Sequence, residues 1–178
     1  MSAVASGASS SQSGVGSIDP GGIHIREAMP QDNHALIELA SVCPMDGDVS
    51  IRVDRAPDIF ALNALEGSAW KVGVAQYRDS VVGCAAASTR HVWLNGRPST
   101  MGYASDLKVH PDWRGTGTAD ALSHWVSDTV AEWCGAGTPT MLTILGGNSR
   151  MERRARGPRG TPPDRQSSPG CGRCRGAH

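Results

Sequence analysis

Large apolar side chains stop at Leu145. Beyond it only Met151 is a sizeable aliphatic residue, and residues 157–178 (GPRGTPPDRQSSPGCGRCRGAH) cannot form a packed element on their own. The first 22 residues, MSAVASGASSSQSGVGSIDPGG, are mostly Ser, Gly and Ala with almost nothing to bury, and read as a flexible leader. A core must therefore come from roughly residues 23–145, where a hydrophobic content of 39% suffices for one domain of ordinary size. The expected division is a leader at 1–22, a domain at 23–150 and a disordered basic Gly/Pro/Arg-rich tail at 151–178.

Seventeen basic and seventeen acidic residues hide an asymmetry. Residues 146–178 hold eight arginines against Glu152 and Asp164, a net +6, so the first 145 residues carry −6. The tail has no aromatic residue between its arginines for base stacking and the body is acidic, which argues against a nucleic-acid partner. The leader lacks the basic start and apolar run of a secretory signal, and no stretch approaches a membrane span, so a soluble cytoplasmic protein is expected. Cys43, Cys84 and Cys134 sit in apolar contexts that suit buried free thiols. Cys171 and Cys174 form a CxxC with only His178 nearby; a zinc site would want a second pair of ligands, and no metal is expected.

Within the body, IHIREA (23–28) alternates like a half-buried strand, and Pro30 opens a helix with Ala35, Leu36, Leu39 and Val42 on its apolar face. CPMDGDVS (43–50) is a loop with two acids around a glycine. Ile59, Leu62 and Leu65 predict a second helix over 57–65. Strand-like runs follow at 70–76, 81–94 and 97–109, the first pair joined by the turn-like YRDS and the second by Asn95-Gly96, a strong hairpin signal. Leu122, Trp125, Val126, Thr129, Val130 and Trp133 then make an apolar stripe on a helix of about five turns. Gly135 and Gly137 end it, TPTMLTIL (138–145) reads as a buried strand, and SRMERRARG suits a short helix. The expected fold class is α+β, a layered, mainly antiparallel mixed sheet flanked by helices in the order β-α-α-β-β-β-α-β.

Between the fourth strand and the long helix lies HPDWRGTGTAD (110–120). A helix N-terminus offers N–H groups without intrahelical partners, and glycines let a ligand come close, so such a loop attracts anions. A Rossmann G-x-G-x-x-G would need glycine where Asp120 stands, and a P-loop needs a lysine, but none follows Lys108. Arg114-Gly115-Thr116-Gly117-Thr118-Ala119, after Leu107-Lys108-Val109-His110-Pro111, resembles the acetyl-CoA loop of the GNAT (GCN5-related) N-acetyltransferase superfamily. Ile25-Arg26-x-Ala28 followed by Asp32 and Leu36 resembles that superfamily's first strand and helix start, and the likeness covers about residues 23–150.

The resemblance implies an N-acetyltransferase that moves an acetyl or acyl group from acetyl-CoA to an amine acceptor. The N–H groups of Gly115, Thr116, Gly117, Thr118 and Ala119 would hold the pyrophosphate, with Arg114 beginning the loop. The backbone at Leu107 and Val109, where the fourth strand splays from the fifth, would pair with the pantetheine arm. The Val109 N–H would polarise the thioester carbonyl, and Asn148 matches a cofactor-contacting asparagine. For proton transfer, period two puts Tyr103, Ser105, Leu107 and Val109 on one face and Asp106 on the other. The superfamily's frequent strand-four glutamate corresponds by spacing to Tyr103. Asp46 and Asp48, in the loop after the first helix, could attract a cationic amine or relay its proton, though a solvated acidic turn explains them as well.

The superfamily normally adds a helix and two strands after the fifth strand, whereas this chain turns into an Arg/Gly/Pro segment. The final strands are expected to be missing, as in a truncated, divergent or frame-shifted copy, leaving an exposed sheet edge open to self-association. A non-catalytic remnant that binds acyl-CoA or a partner is the alternative to an enzyme.

Overall fold

The computed structural model describes residues 22–45 and 47–156. The leader through residue 21, Asp46, and the tail with Cys171 and Cys174 lie outside the described residues. Five strands form one sheet in sequence order: β1 (Ile23–Glu27), β2 (Trp70–Tyr77), β3 (Ser80–Leu94), β4 (Arg97–Val109) and β5 (Thr140–Leu142). The first four pair antiparallel, and β5 joins β4 in parallel. The helices are α1 (Asn33–Val42), α2 (Thr118–Cys134) and α3 (Ser149–Ala155). This is the α+β class expected, a mostly antiparallel sheet flanked by helices.

Asn95 and Gly96 both adopt positive φ, at 50° and 75°, which sets the twist of the two-residue turn between β3 and β4. α1 and α2 cover opposite faces of the sheet. On the first, Leu36, Leu39 and Ala40 of α1, with Cys43, pack on Val72, Val74, Cys84 and Ala86. On the second, Leu122, Val126 and Val130 of α2 pack on Ala75, Val82, Ala85 and Ala87. The consecutive buried alanines of β3 let both helices approach closely. Gly73 of β2 serves the same end, because a Cβ there would meet the Trp125 ring at 2.6 Å.

Four expectations fail. No α-helix forms over 57–65: the chain makes turns and one 3₁₀ turn (Asn63–Leu65), and Leu65 is 81% exposed. Side-chain contacts hold the segment in turns instead. Asp54 Oδ1 accepts from Ala56 N, Asp58 Oδ1 from Phe60 N, and Asn33 Oδ1 from Ile59 N. Val42 turns to solvent, and Ala40 and Cys43 complete the buried face of α1 instead. The fifth strand is not buried but an exposed three-residue edge.

The fourth concerns β4. Its register with β3 slips between the pairs Lys108↔Cys84 and Ser105↔Ala86, so Asp106 and Leu107 together oppose Ala85. Asp106 sits at φ 51°, a left-handed conformation that aspartate tolerates better than most residues. This β-bulge breaks the period-two count. Ser105 and Lys108 lie opposite Ala86 and Cys84 on the α1 face, where Asp106 also finds its partners. Leu107 and Val109 pack with the α2 side. Asp106 therefore shares the face of Tyr103 and Ser105, and Leu107 and Val109 do not.

Because Gly73 leaves no room for even one methyl group, Gly73→Ala is expected to destabilise the protein by about 1–3 kcal/mol in urea unfolding. Trimming the opposing ring with Trp125→Leu in the same chain should recover part of that loss.

Candidate active site

The loop after β4 folds through a 3₁₀ turn (Pro111–Trp113), in which Trp113 N donates to His110 O at 2.9 Å and Arg114 N to Pro111 O at 3.2 Å. Gly115 and Gly117 then take φ of 85° and 84°, and no atom lies within 4 Å of a Cβ built on either. The backbone is thus exposed on one side. Thr116 Oγ1 donates to Trp113 O at 2.7 Å and bonds Thr118 Oγ1, also at 2.7 Å, so both hydroxyls turn into the loop. The first N–H groups of α2 to reach a backbone carbonyl are those of Asp120 and Ala121, both on Gly117 O. Five consecutive N–H groups, Gly115 to Ala119, have no carbonyl partner among the described residues. With the positive end of the α2 dipole, they form a ready anion site.

That loop forms one wall of a cleft of about 770 Å³, also lined by Cys43, Lys108, Val109, Asn148 and Arg150. Asp120, in the first turn of α2, would repel an anion, but Arg154 of α3 holds it at 2.5 Å while also donating to Ser123 Oγ. Asn148 caps α3 by accepting from Met151 N at 3.1 Å. It also lines both this cleft and a second of about 430 Å³.

The second cleft is the gap between β4 and β5. The strands pair only at Gly102↔Thr140, Tyr103↔Met141 and Ala104↔Leu142, and separate beyond Ala104. At the far end of the gap His110 N donates to Val82 O at 2.9 Å, which makes Val109 and Gly83 a pair without mutual hydrogen bonds. The Val109 N–H and C=O therefore face away from β3, toward the gap. The carbonyl accepts from Arg114 Nε at 3.2 Å and from the Cys43 thiol at 3.4 Å. The N–H has no partner among the described residues. Ladder parity and one long-range hydrogen bond thus aim a donor toward the gap, next to Leu107 and Lys108, which line both clefts.

Of the residues singled out for proton transfer, Asp48 is exposed, and its backbone N donates to Gly146 O at 3.1 Å beside Gly47, which lines the larger cleft. Tyr103 lines neither cleft: Arg90 sits 4.6 Å from its ring centre, and its hydroxyl reaches Thr143 Oγ1 at 3.3 Å. Among the described residues no group of His, Cys, Asp and Glu gathers as metal ligands, and no helix is long and apolar enough to cross a membrane.

The sequence reading missed the polar cluster at the bulge. Asp106 accepts from Arg55 Nη2 at 2.5 Å, from Lys108 Nζ at 3.2 Å and from Asn63 Nδ2 at 3.3 Å. Next to it Ser105 Oγ donates to Glu66 Oε2 at 2.8 Å. Burial pushes the Asp106 carboxyl up, but the charges of Lys108 and Arg55 and the hydrogen bonds from Lys108 and Asn63 outweigh it and hold it below the usual carboxylate range. Burial also pushes the Cys84 thiol up to about 12, with Asp106 adding to the shift, and raises Cys43. Both are therefore thiols, not thiolates, near neutral pH.

No protein-family model and no curated protein matches the chain. Solved structures do. A predicted acetyltransferase with acetyl-CoA from Clostridium acetobutylicum superposes with a TM-score of 0.60 at 14% identity, over 81% of this chain and 92% of that one. An aminoglycoside 6′-N-acetyltransferase from Acinetobacter haemolyticus gives 0.58 at 18%, over 75% and 89%. A protein of Bacillus halodurans gives 0.64 at 18%, over 81% and 96%. The chain has the GNAT acetyltransferase fold.

A carboxyl with a lowered folded-state pKa contributes stability above its unfolded pKa and loses it as pH falls through the folded one. Asp106 and Asp32, which is held down by Arg26, both belong to this class. Stability should therefore decline as pH drops below about 4. Asp106→Asn, which leaves Arg55 without its carboxylate, should lower neutral-pH stability by about 3 kcal/mol and flatten the acid limb of a melting-temperature profile.

Proposed function

We propose that this chain transfers an acetyl or related acyl group from acetyl-CoA to an amine acceptor by direct attack of the amine on the thioester. The observation that carries the reading is the pairing of two sets of unpartnered backbone donors: five N–H groups at the start of α2, and the Val109 N–H at the gap between β4 and β5. The first suits a pyrophosphate and the second a thioester oxygen, and the two clefts share Leu107 and Lys108, the residues that lead to Val109.

In this reading Gly115, Thr116, Gly117, Thr118 and Ala119 bind the pyrophosphate through their N–H groups. Arg114 closes the loop onto Val109 O and adds positive charge. The gap takes the pantetheine arm along Leu107 and Val109, whose backbone stands in for the missing strand partner. A donor held at Val109 stabilises the oxyanion that develops on the carbonyl, an effect worth about 3 kcal/mol when such a donor is preorganised. Asn148 contacts the arm from the opposite wall. Asp48 stands at the cleft rim and, with Asp46, attracts a cationic amine. The cytoplasm is the proposed location.

The bulge carboxylate Asp106 lies in the gap but is already engaged by two cations, which makes it a weak base. That favours attention to the alternative, a domain that binds acyl-CoA without turning it over. An assay of acetyl transfer over a panel of amines separates the two, since only the enzyme releases CoA thiol in proportion to acceptor.

Acetyl-CoA should raise the melting temperature of the wild-type protein. Gly117→Glu puts a carboxylate into open space at the phosphate site at a backbone cost of about 1–2 kcal/mol, and should abolish the shift while leaving a cooperative transition. A chain that melts identically with and without acetyl-CoA would refute the reading.

A further inference from the structure

Acetyl transfer leaves a thiolate, and a thiolate needs a cation or a proton. No tyrosine lines the gap among the described residues. One ammonium does: Lys108 borders both the phosphate cleft and the gap between β4 and β5. Its side chain is only 16% exposed, which is unusual for lysine. Being one residue before Val109, it stands beside the N–H that faces the thioester oxygen. The bulge puts it on the α1 face, opposite Cys84, and its charge acts on both the Cys84 and Cys43 thiols, of which Cys43 hydrogen-bonds Val109 O.

Its surroundings bear on what it can do. On its own strand Asp106 takes one of its three N–H donors, at 3.2 Å. Arg55, from the loop before β2, satisfies the same carboxylate at 2.5 Å, so Asp106 is not dependent on Lys108 for neutralisation. The thiols Cys84 of β3 and Cys43 after α1 complete the group, with Arg114 beyond Cys43. The cation is thus anchored but left with free donors, and it borders both clefts.

We propose that Lys108 is a catalytic residue that stabilises and protonates the departing CoA thiolate. This rests on the function proposed above. The acceptor nitrogen forms the new N–C bond, the C–S bond breaks with its electron pair moving to sulfur, and sulfur takes a proton from the Lys108 ammonium. The lysine regains a proton from solvent, and the acceptor nitrogen releases its own to solvent, so charge and protons balance over the cycle.

The test is the titration of bound CoA. Thiolate absorbance in the ultraviolet is followed against pH for the full chain saturated with CoA, with the desulfo-CoA complex as the blank for the protein's own thiols. The thiol of bound CoA should titrate about one pH unit below free CoA. Lys108→Gln should return it to the free value and lower kcat about 100-fold with little change in the KM for acetyl-CoA. Lys108→Arg, which keeps the charge, should retain most of the shift in the bound thiol. A wild-type complex whose CoA titrates like free CoA overturns the proposal, as does a shift that survives in Lys108→Gln. Desulfo-CoA melting shifts keep the two readings apart: stabilisation without a thiol shift refutes Lys108 alone, and absence of stabilisation refutes the cofactor assignment beneath it.

Discussion

The ion pair between Arg55 and Asp106 holds the feature on which the site depends. Asp106 occupies a left-handed backbone conformation in the middle of a strand, which costs on the order of 1 kcal/mol. Arg55, Asn63 and Lys108 all converge on its carboxylate. Three partners on one half-buried side chain over-determine the bulge. Without the extra residue, Lys108 and Val109 would exchange faces of the sheet, and the backbone donors beyond the bulge would shift register against β3. The loop that replaces the expected second helix matters for the same reason, because both Arg55 and Asn63 come from it.

The gap beside the bulge follows from an imbalance of lengths. β4 runs thirteen residues and β5 only three, so the lower half of β4 has no partner on that side. In a soluble domain, unpaired strand edges are ordinarily covered or blunted. Here the uncovered length of β4 faces clefts walled by α3 and by the chain leading to it. The cap of α3 by Asn148 and the bridge from Arg154 to Asp120 connect that wall to the first turn of α2. One side of the site is thus set by β-ladder parity and the other by two short polar contacts.

How much of this the amino-acid order reveals differs by element. The loop at 110–120 was legible because glycine, proline and an amphipathic helix leave few alternatives, and Asn95-Gly96 specified its turn for the same reason. The bulge was not legible. It depends on an aspartate two of whose three partners lie 51 and 43 residues away, and nothing local distinguishes it from an ordinary strand residue. The helix expected at 57–65 shows the opposite failure. Ile59, Leu62 and Leu65 have helical spacing, yet Asn33 of α1 ties down the Ile59 N–H and Asp54 and Asp58 form local turns, and spacing does not register such contacts. Residues 138–145 read as a buried strand because they are apolar, but apolarity cannot say how many neighbours a strand has.

Three of the positive charges around the clefts share an arrangement that bears on binding. Arg154 is held by Asp120, Lys108 by Asp106, and Arg114 by the Val109 carbonyl. Each is fixed before any ligand arrives, and each keeps donors to spare. The five N–H groups of the loop are equally fixed, since Gly115 and Gly117 set the turn and the two threonine hydroxyls satisfy one another. A flexible anion would thus meet donors whose ordering cost was met during folding, which raises affinity and, where the donors face a developing charge, rate. It would also reconcile an acidic body with an anion cleft: Asp106 and Asp120, the carboxylates that line the clefts, are engaged by cations, so the field there is set by the donors left over.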